Sequence, residues 1–457
     1  MTGLRRRVFA VWRETLSLSW PVAVQETLST LMRTVDIIVT GLFSPAAVAA
    51  VGIADLYAQI PMRIGSGLGA GAIALSSQDT GRDAEVTRDR AITQAIGIGF
   101  LVGLPLIVVG YFLADSAMAI LGAESEVVRL GGLYLMVIFA AAPMRIVGLT
   151  SSRAFQGTGD TVTPMYINAG SNAANIVLSV VLGLGIGMAP TLGILGVGLA
   201  TAISRTGEAV AFVLAILSDR SDLSFVRSAD PTVMYQLVTV AVPNVAEGMT
   251  TSVASYPFNA LLLVFGTEVI AGYHIARRIY HQTTGPLYRS YSVAASIIVG
   301  QTLGEGDADR ARFSGLAITA FGVMTLGTAG IVLFGIVEPL TSIFSNDPEA
   351  TRHAAAFTRV YGIMLFFVGV FFPAAGALRG ASDTKTPFYA RLTGTFCFML
   401  AFSYVTSIVL GYGLVGVYAG MILTYVWWAG VVLAGFLWGD WAGKAESMMT
   451  ERSISSN

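Results

Sequence analysis

QGTGDTVTP, residues 156–164, returns later in the chain as RGASDTKTP, residues 379–387. The offset that relates Gln156 to Arg379 also relates Gln78 to Gln301. A segment that recurs at a fixed period is the mark of a repeated architecture. The offset therefore divides the chain into two similar halves.

Two further matches follow the same order. WPVAVQ, with Pro21 and Gln25, corresponds to VPNVAE, with Pro243 and Glu247, at nearly the same offset. GILGVGLA, with Gly196, also corresponds to GLVGVYAG, with Gly416. Since the matches are collinear, the sequence predicts an internal duplication that covers both halves.

Composition places these halves in a membrane. The chain is 54% hydrophobic and 12% charged, whereas soluble domains carry about a quarter charged residues. An apolar helix of about 20 residues crosses a bilayer core of about 30 Å. Such runs cover approximately residues 16–42, 46–76, 91–113, 128–152, 163–185, 192–217, 235–264, 269–299, 313–335, 354–378, 387–410 and 413–438. We therefore predict an all-α polytopic membrane protein with twelve transmembrane helices.

The even number of helices in each half sets their direction. Both halves enter the membrane the same way, so a pseudo-two-fold axis along the membrane normal relates two parallel six-helix lobes. Residues 1–219 are predicted to form the N-terminal lobe, 220–234 a cytoplasmic linker and 235–457 the C-terminal lobe. Transporters use parallel repeats to move two lobes around a central site.

Loop charges predict the orientation of the chain. The loops on one side, together with both termini, hold nearly all the loop Lys and Arg, whereas Arg352 is alone on the other side. Cytoplasmic loops carry this excess, so both termini are predicted to be cytoplasmic in a multi-pass cell-membrane protein. The basic start MTGLRRR has no cleavage site after it and is interpreted as the start of a retained helix. Cys397 is predicted to be a buried thiol, and GSGLGAGA, residues 65–72, to allow close helix packing.

An aspartate inside the first apolar run is the main functional candidate. Asp36 stands in LMRTVDIIVTG, residues 31–41, where an ionisable group costs roughly 2.5–3.5 kcal/mol and is functional by default. Asn172, Asn175 and Ser179 repeat at helical spacing at a similar depth. These four side chains are predicted to form one polar pocket, with an interhelical hydrogen-bond clamp as the structural alternative.

Other charged candidates have more than one interpretation. Arg33, three residues before Asp36, either pairs with it or faces a cavity or an anionic substrate. Glu26 and Glu247 lie near mid-membrane, and Glu247 occupies the repeat position of Gln25, so both acids are candidates for ion coupling and Gln25 for the cavity. A remaining set of charges is interpreted as ion pairs or cavity lining: Asp55, Arg63, Arg145, Arg153, Arg205, Glu208, Arg289 and Arg391.

Enzymatic chemistry finds no support in the sequence. His274 and His281 have no further ligands at telling spacing, so no metal site is predicted. No nucleotide loop, nucleophile or acid–base pair stands at catalytic spacing. The sequence therefore predicts no enzyme, no cofactor and no nucleic-acid partner, and a transporter would draw its energy from an ion gradient.

Several motifs resemble one transporter family. Val35, Asp36 and Gly41 form the pattern V-D-x-x-x-x-G, and Pro21 precedes this pattern on the same predicted helix. Gly157–Pro164 matches a GTGDT-x-x-P turn, and Asn175–Leu178 has the sequence NIVL. With VGQTLGEGDADRAR, residues 299–312, these motifs resemble the multidrug and toxic compound extrusion (MATE) transporters over essentially the whole chain.

The resemblance implies function as well as fold. It implies secondary active efflux of amphipathic, usually cationic small molecules, driven by proton or sodium re-entry, and the protein is expected to work as a monomer in the lipid bilayer. Relatives often have a second Asp where this chain has Ser179, so the pocket keeps one carboxylate. The sodium-coupled branch pairs a helix 7 acid with a helix 10 Asp, which residues 354–378 lack. The interpretation is therefore proton coupling through Asp36, with sodium coupling and a lipid-linked saccharide flippase as alternatives.

Overall fold

The computed structural model describes residues 2–219, 221–227, 229–344 and 347–455, and within them the chain is helical with no strand. The first half contains α1 (Thr2–Gly41), α2 (Pro45–Gly81), α3 (Glu85–Ala119), α4 (Ser125–Ala140), α5 (Ala142–Gly157), α6 (Val162–Leu184) and α7 (Ile194–Ile216). The second half contains α8 (Pro231–Leu263), α9 (Thr267–Gly304), α10 (Ala308–Gly335), α11 (Val337–Ser342), α12 (Pro348–Gly380), α13 (Lys385–Gly394), α14 (Leu414–Trp438) and α15 (Trp441–Ser455). Two π-helical segments, Thr395–Phe402 and Val405–Val409, continue α13.

Hydropathy identifies most of the membrane spans. In the described part of the chain, eight helices are long and apolar enough to cross a membrane, with α13 and its π-helical continuation taken as one. Helices α4 and α5 meet at 50° and together form a ninth. Helices α1, α8 and α9, of 40, 33 and 38 residues, are also long enough to cross a membrane, which brings the count to the twelve predicted spans. The predicted fold class is confirmed.

The break between α4 and α5 was not predicted. The apolar run 128–152 bends after Ala141, where Pro143 stands in the first turn of α5. Proline lacks the N–H that a continuous helix needs and clashes with the turn before it. One span is therefore built from two helices.

The two halves close their corresponding turns in the same way. In the first, Asp160 Oδ1 accepts hydrogen bonds from the backbone N–H groups of Val162 (3.0 Å) and Thr163 (2.9 Å). In the second, Asp383 accepts hydrogen bonds from the backbone N–H of Thr386 (3.3 Å) and from the hydroxyl of Thr386 (2.8 Å). The repeated sequence motif therefore corresponds to a repeated local structure.

Small residues of α2 allow α5 to approach closely, as predicted. A Cβ at Gly65 would lie 2.8 Å from Leu149 Cδ1, and one at Gly69 would lie 2.7 Å from Arg153 Cγ. The prediction for Cys397 is wrong, because its thiol is exposed on the first π-helical segment. A thiol on an apolar span meets lipid at no penalty, so burial in protein is not required.

Contacts divide the described residues into two compact units. The C-terminal unit comprises Met1–Ala23 and Val242–Thr450, and the N-terminal unit comprises Val24–Ala241 and Glu451–Asn457. The chain thus passes between the units within α1, within α8 and within α15. The lobe boundaries at 219 and 235 stay a prediction.

Each end of the chain belongs to the unit formed mainly by the other half, and specific bonds hold it there. In the C-terminal unit, Trp12 Nε1 donates a hydrogen bond to the carbonyl of Ala317 at 2.9 Å. In the N-terminal unit, Arg452 is fully buried and pairs with Asp79 at 3.0 Å. Burial lowers the pKa of Arg452 and the carboxylate opposes this shift. Arg452 also donates a hydrogen bond to Gln236 Oε1 at 2.7 Å, so the last turn of α15 is fixed within this unit.

Candidate functional site

Asp36 and Ser179 meet inside the N-terminal unit. Asp36 is half-buried on α1 and Ser179 is fully buried on α6. The hydroxyl of Ser179 donates a hydrogen bond to Asp36 Oδ1 at 2.7 Å, and Asn175 Oδ1 lies 3.5 Å from the same hydroxyl. Because a serine hydroxyl has one hydrogen, it donates to one of these two acceptors at a time.

The hydrogen bonds continue from Asn175 into α7. Asn175 Nδ2 donates to Thr201 Oγ1 at 3.1 Å, and Thr201 donates to the carbonyl of Val197 at 3.1 Å. Both side chains are buried, and a buried polar group needs such partners. One connected chain of hydrogen bonds therefore joins α1, α6 and α7.

Asn172 belongs to a second connection between the same helices. Its Nδ2 donates to Ser29 Oγ on α1 at 3.2 Å, and its Oδ1 accepts from Arg205 Nη2 at 3.2 Å. Arg205 also binds Glu208 at 2.5 Å, one turn along α7. A guanidinium presents several donors in a fixed fork, which lets Arg205 hold an amide and a carboxylate together.

Charges of both signs surround Asp36. Arg205, Asp55 and Arg33 are the charged side chains that act on it most strongly. Arg33 is exposed and its Nη2 lies 3.4 Å from Met62 Sδ. The network contains three carboxylates and three guanidiniums: Asp36, Asp55 and Glu208, with Arg33, Arg145 and Arg205.

The remaining candidates of helix α1 lie away from Asp36. Glu26 precedes it by ten residues, which is about 15 Å along a helix axis. Gln25 Oε1 accepts a hydrogen bond from Gln156 Nε2 at 3.4 Å, and Gln156 in turn accepts one from Arg153 at 2.9 Å. Gln25 and Glu26 are thus at a different level of the N-terminal unit from Asp36.

Glu247 belongs to the C-terminal unit and is bound by two arginines. Arg379 Nη2 lies 2.8 Å from each of its carboxylate oxygens, and Arg391 Nε lies 3.1 Å from Oε1. The carboxylate is only 3% exposed. Two charge-assisted contacts from guanidiniums already occupy this carboxylate, which suits a structural clamp better than a group that exchanges ions.

The sequence interpretation undervalued part of the N-terminal network. Arg205 and Glu208 were grouped with general ion pairs, although their spacing of three residues inside an apolar helix was a usable signal. Thr201 gave no signal, because threonines are common in membrane helices and only the folded chain brings this one to Asn175.

Comparison with known proteins identifies the family. The sequence profile of the MatE family matches residues 21–181 and 243–412, most of both halves. A probable multidrug resistance protein NorM of Thermotoga maritima is 26% identical over 329 residues, covering 70% of each chain.

Solved structures show the same fold. One reported as the outward-facing conformation of a multidrug resistance MATE family transporter has a TM-score of 0.86 at 18% identity, covering 96% of each chain. A transporter of Pyrococcus furiosus, described as having a binding pocket of reverse polarity, has a TM-score of 0.84 at 17% identity, covering 97% of this chain and 96% of its own. The resemblance seen in the sequence motifs is therefore confirmed, and the chain belongs to the MatE family.

Proposed function

We propose that this protein is a secondary active exporter of amphipathic organic compounds, mainly cations, and that proton re-entry drives it through Asp36. Membership of the MatE family and the names of the multidrug resistance relatives support the export of drugs or toxic compounds. The contact between Ser179 and Asp36 is the observation that supports the coupling role.

The single hydrogen of Ser179 provides a local switch. While Asp36 is ionised, the hydroxyl donates to its Oδ1. When Asp36 takes up a proton, it becomes a donor itself, and the Ser179 hydrogen is free to turn toward Asn175 Oδ1. That turn reverses the direction of a hydrogen bond between α1 and α6, so proton binding changes how two helices are held.

Proton coupling fits the ligands better than sodium coupling. Sodium needs several oxygen ligands and favours charged ones, as hard cations do. The side chain that contacts Asp36 directly is the neutral hydroxyl of Ser179, at the place where relatives often have a second Asp. Glu247 is less suited to coupling because Arg379 and Arg391 already bind it.

The direction of transport follows from the proposed orientation. With both termini cytoplasmic, Asp36 lies six residues before the outer end predicted for the first span, where external protons enter. The protein would act as a monomer in the cell membrane. The excess of Lys and Arg in the predicted cytoplasmic loops supports this orientation.

The test is drug-for-proton exchange in proteoliposomes. Cys397→Ala removes the native thiol, and Ala123→Cys, in the turn before α4, reports by impermeant labelling which way the protein faces. We expect Asp36→Asn to abolish exchange while it keeps substrate binding, because the amide cannot release a proton. Glu126→Gln, a matched control at an exposed position of α4, should exchange at the wild-type rate.

Other outcomes redirect the proposal. Wild-type exchange in Asp36→Asn would move the coupling role to Glu26 or Glu247. Exchange that follows a sodium gradient at constant pH would favour the sodium alternative. Translocation of a lipid-linked saccharide, without exchange of amphipathic cations, would favour a flippase.

A further inference from the structure

The first five turns of helix α1 have one packed face and one exposed face. On the packed face, Trp12 Nε1 donates its hydrogen bond to Ala317, and Thr15 and Ser19 are buried. The exposed face consists of side chains three or four positions apart, a spacing that places them in one line along a helix. We call this line the α1 stripe, and all of its members are exposed: Arg5, Phe9, Arg13, Leu16 and Trp20.

The chemistry of the α1 stripe changes where the predicted span begins. Leu16 and Trp20, 49% and 51% exposed, are its apolar members inside the span predicted from residue 16. Exposed apolar side chains at the start of a membrane span are covered by lipid. Arg13 precedes Leu16 by three residues, about 4.5 Å along the helix axis, and the headgroup layer is about 5–8 Å thick on each side of the hydrocarbon core. The guanidinium of Arg13 is therefore expected at the level of the lipid phosphates.

Among the residues that the structure describes, the two arginines of the α1 stripe have no partner. Arg7, on another face of the first turns, packs its guanidinium 4.6 Å from the ring centre of Phe313. By contrast, within the described part of the chain, no hydrogen bond, ion pair or ring contact involves Arg5 or Arg13. Glu14 is the one acid in the sequence of residues 1–20. Both guanidiniums are thus open to an anion from outside the protein.

Phe9 separates the two arginines and is held in its exposed position. It lies one turn from each of them and is 64% exposed. Its ring meets that of Trp12 edge to face, with centroids 5.6 Å apart and planes at 75°, and the hydrogen bond to Ala317 fixes Trp12. Aromatic side chains are enriched at membrane interfaces, where the ring lies among the headgroups. The α1 stripe therefore presents a fixed apolar ring between two positive charges.

An anionic phospholipid has the chemistry that matches this pattern. Its phosphate accepts charge-assisted hydrogen bonds from a guanidinium, and an anionic headgroup attracts arginines at the membrane surface. Its acyl chains cover the apolar members of the stripe. A soluble anion would satisfy the arginines but would leave Phe9, Leu16 and Trp20 without an apolar partner, so the lipid fits the whole stripe.

We propose that the α1 stripe is a binding site for an anionic phospholipid. Arg13 contacts the phosphate, Arg5 supplies a second positive charge, and Phe9 lies against the upper part of the acyl chains. This site goes beyond the proposed function, because it needs neither Asp36 nor a transported compound. The arginine excess that orients a chain during insertion requires no bound lipid afterwards, so lipid binding by the purified protein separates the two roles.

Two lipids that differ in headgroup charge test the site. Full-length protein is delipidated in detergent and titrated with dioleoyl phosphatidylglycerol or dioleoyl phosphatidylcholine, and native mass spectrometry counts the bound lipid. We expect the wild type to bind phosphatidylglycerol more tightly than phosphatidylcholine. Arg5→Gln and Arg13→Gln should each weaken phosphatidylglycerol binding about fivefold, the change expected for one arginine at an anionic surface, and should leave phosphatidylcholine binding unchanged.

Two further variants separate a defined site from a general effect of charge. Arg13→Lys keeps the positive charge and should retain most of the preference for phosphatidylglycerol. Arg352→Gln is the matched control, because Arg352 is exposed but already pairs with Glu349 at 2.7 Å, and it should bind both lipids as the wild type does.

Failure of this proposal can be separated from failure of the proposed function, because no transport is measured. Equal affinity of the wild type for the two lipids would overturn it, as would an unchanged preference in a folded protein that combines Arg5→Gln with Arg13→Gln. Arg352→Gln that loses as much of the preference as Arg13→Gln would also overturn it, because the effect would then belong to net charge. Thermal unfolding of each variant in detergent confirms that it is folded.

Discussion

Gln156 donates one hydrogen bond to Gln25 at 3.4 Å, whereas Arg379, its counterpart in the repeat, contacts both carboxylate oxygens of Glu247 at 2.8 Å. The same repeat position thus holds a weak neutral pair in one unit and a buried ion pair in the other. Phe258, fully buried, corresponds to Asp36 at the offset that relates Pro21 to Pro243. Duplication therefore preserved the helices and divided the chemistry between the units. In the N-terminal unit the carboxylate of Asp36 is contacted by the neutral Ser179 hydroxyl, and in the C-terminal unit the carboxylate of Glu247 is contacted by two arginines.

The largest expected effect comes from removing the acid of the ion pair. Glu247→Ala leaves Arg379 and Arg391, both half-buried, without their carboxylate, and we expect a loss of roughly 3–5 kcal/mol in unfolding free energy. Replacing both members of the pair by glutamine (Glu247→Gln with Arg379→Gln) copies the neutral pair of the other unit and should recover part of the loss. Thermal unfolding in detergent measures both. Equal stability of Glu247→Ala and the wild type would refute the difference between the units.

A smaller effect is expected where the end of α15 is held in the N-terminal unit. Arg452→Ala removes a fully buried partner of Asp79, which keeps Arg82 at 2.9 Å, so we expect a loss of about 3 kcal/mol. The matched control is Arg310→Ala, because Arg310 and Glu305 are about half exposed and such pairs contribute roughly 1 kcal/mol or less. Similar destabilisation of the two variants, measured by urea unfolding, would show that α15 contributes little to this unit.

The smallest effect concerns one equivalent turn of the two halves. Asp83 adopts a left-handed conformation with φ of 55°, and Gly306, at the corresponding position of the second half, has φ of 82°. Glycine adopts this region at no steric penalty. We expect Asp83→Gly to raise the unfolding free energy by about 0.5 kcal/mol and Gly306→Ala to lower it by about 1 kcal/mol. Calorimetric melting that shifts both variants in one direction would contradict the equivalence of the turns.

Short segments of the sequence were enough to predict the fold and one part of the site. Apolar length predicted the spans, and the repeated turn motif predicted the two halves, because both signals are contained in short segments. The contact of Asp36 with Ser179 was also predictable, since helix direction and spacing give their depth. The two arginines on Glu247 were not, because Arg379 and Arg391 belong to different helices and only tertiary packing brings them to one carboxylate.

The positions of the chain ends within the two units have a consequence for synthesis. Trp12 finds its partner Ala317 only when the ninth of the twelve spans has been translated, and Asp79 waits for Arg452 until nearly the whole chain has left the ribosome. The first six spans therefore enter the bilayer before Trp12 has its acceptor and while Asp79 has Arg82 but not yet Arg452. We expect truncation before residue 451 to leave a fully inserted chain that proteases and quality-control factors recognise as unfinished.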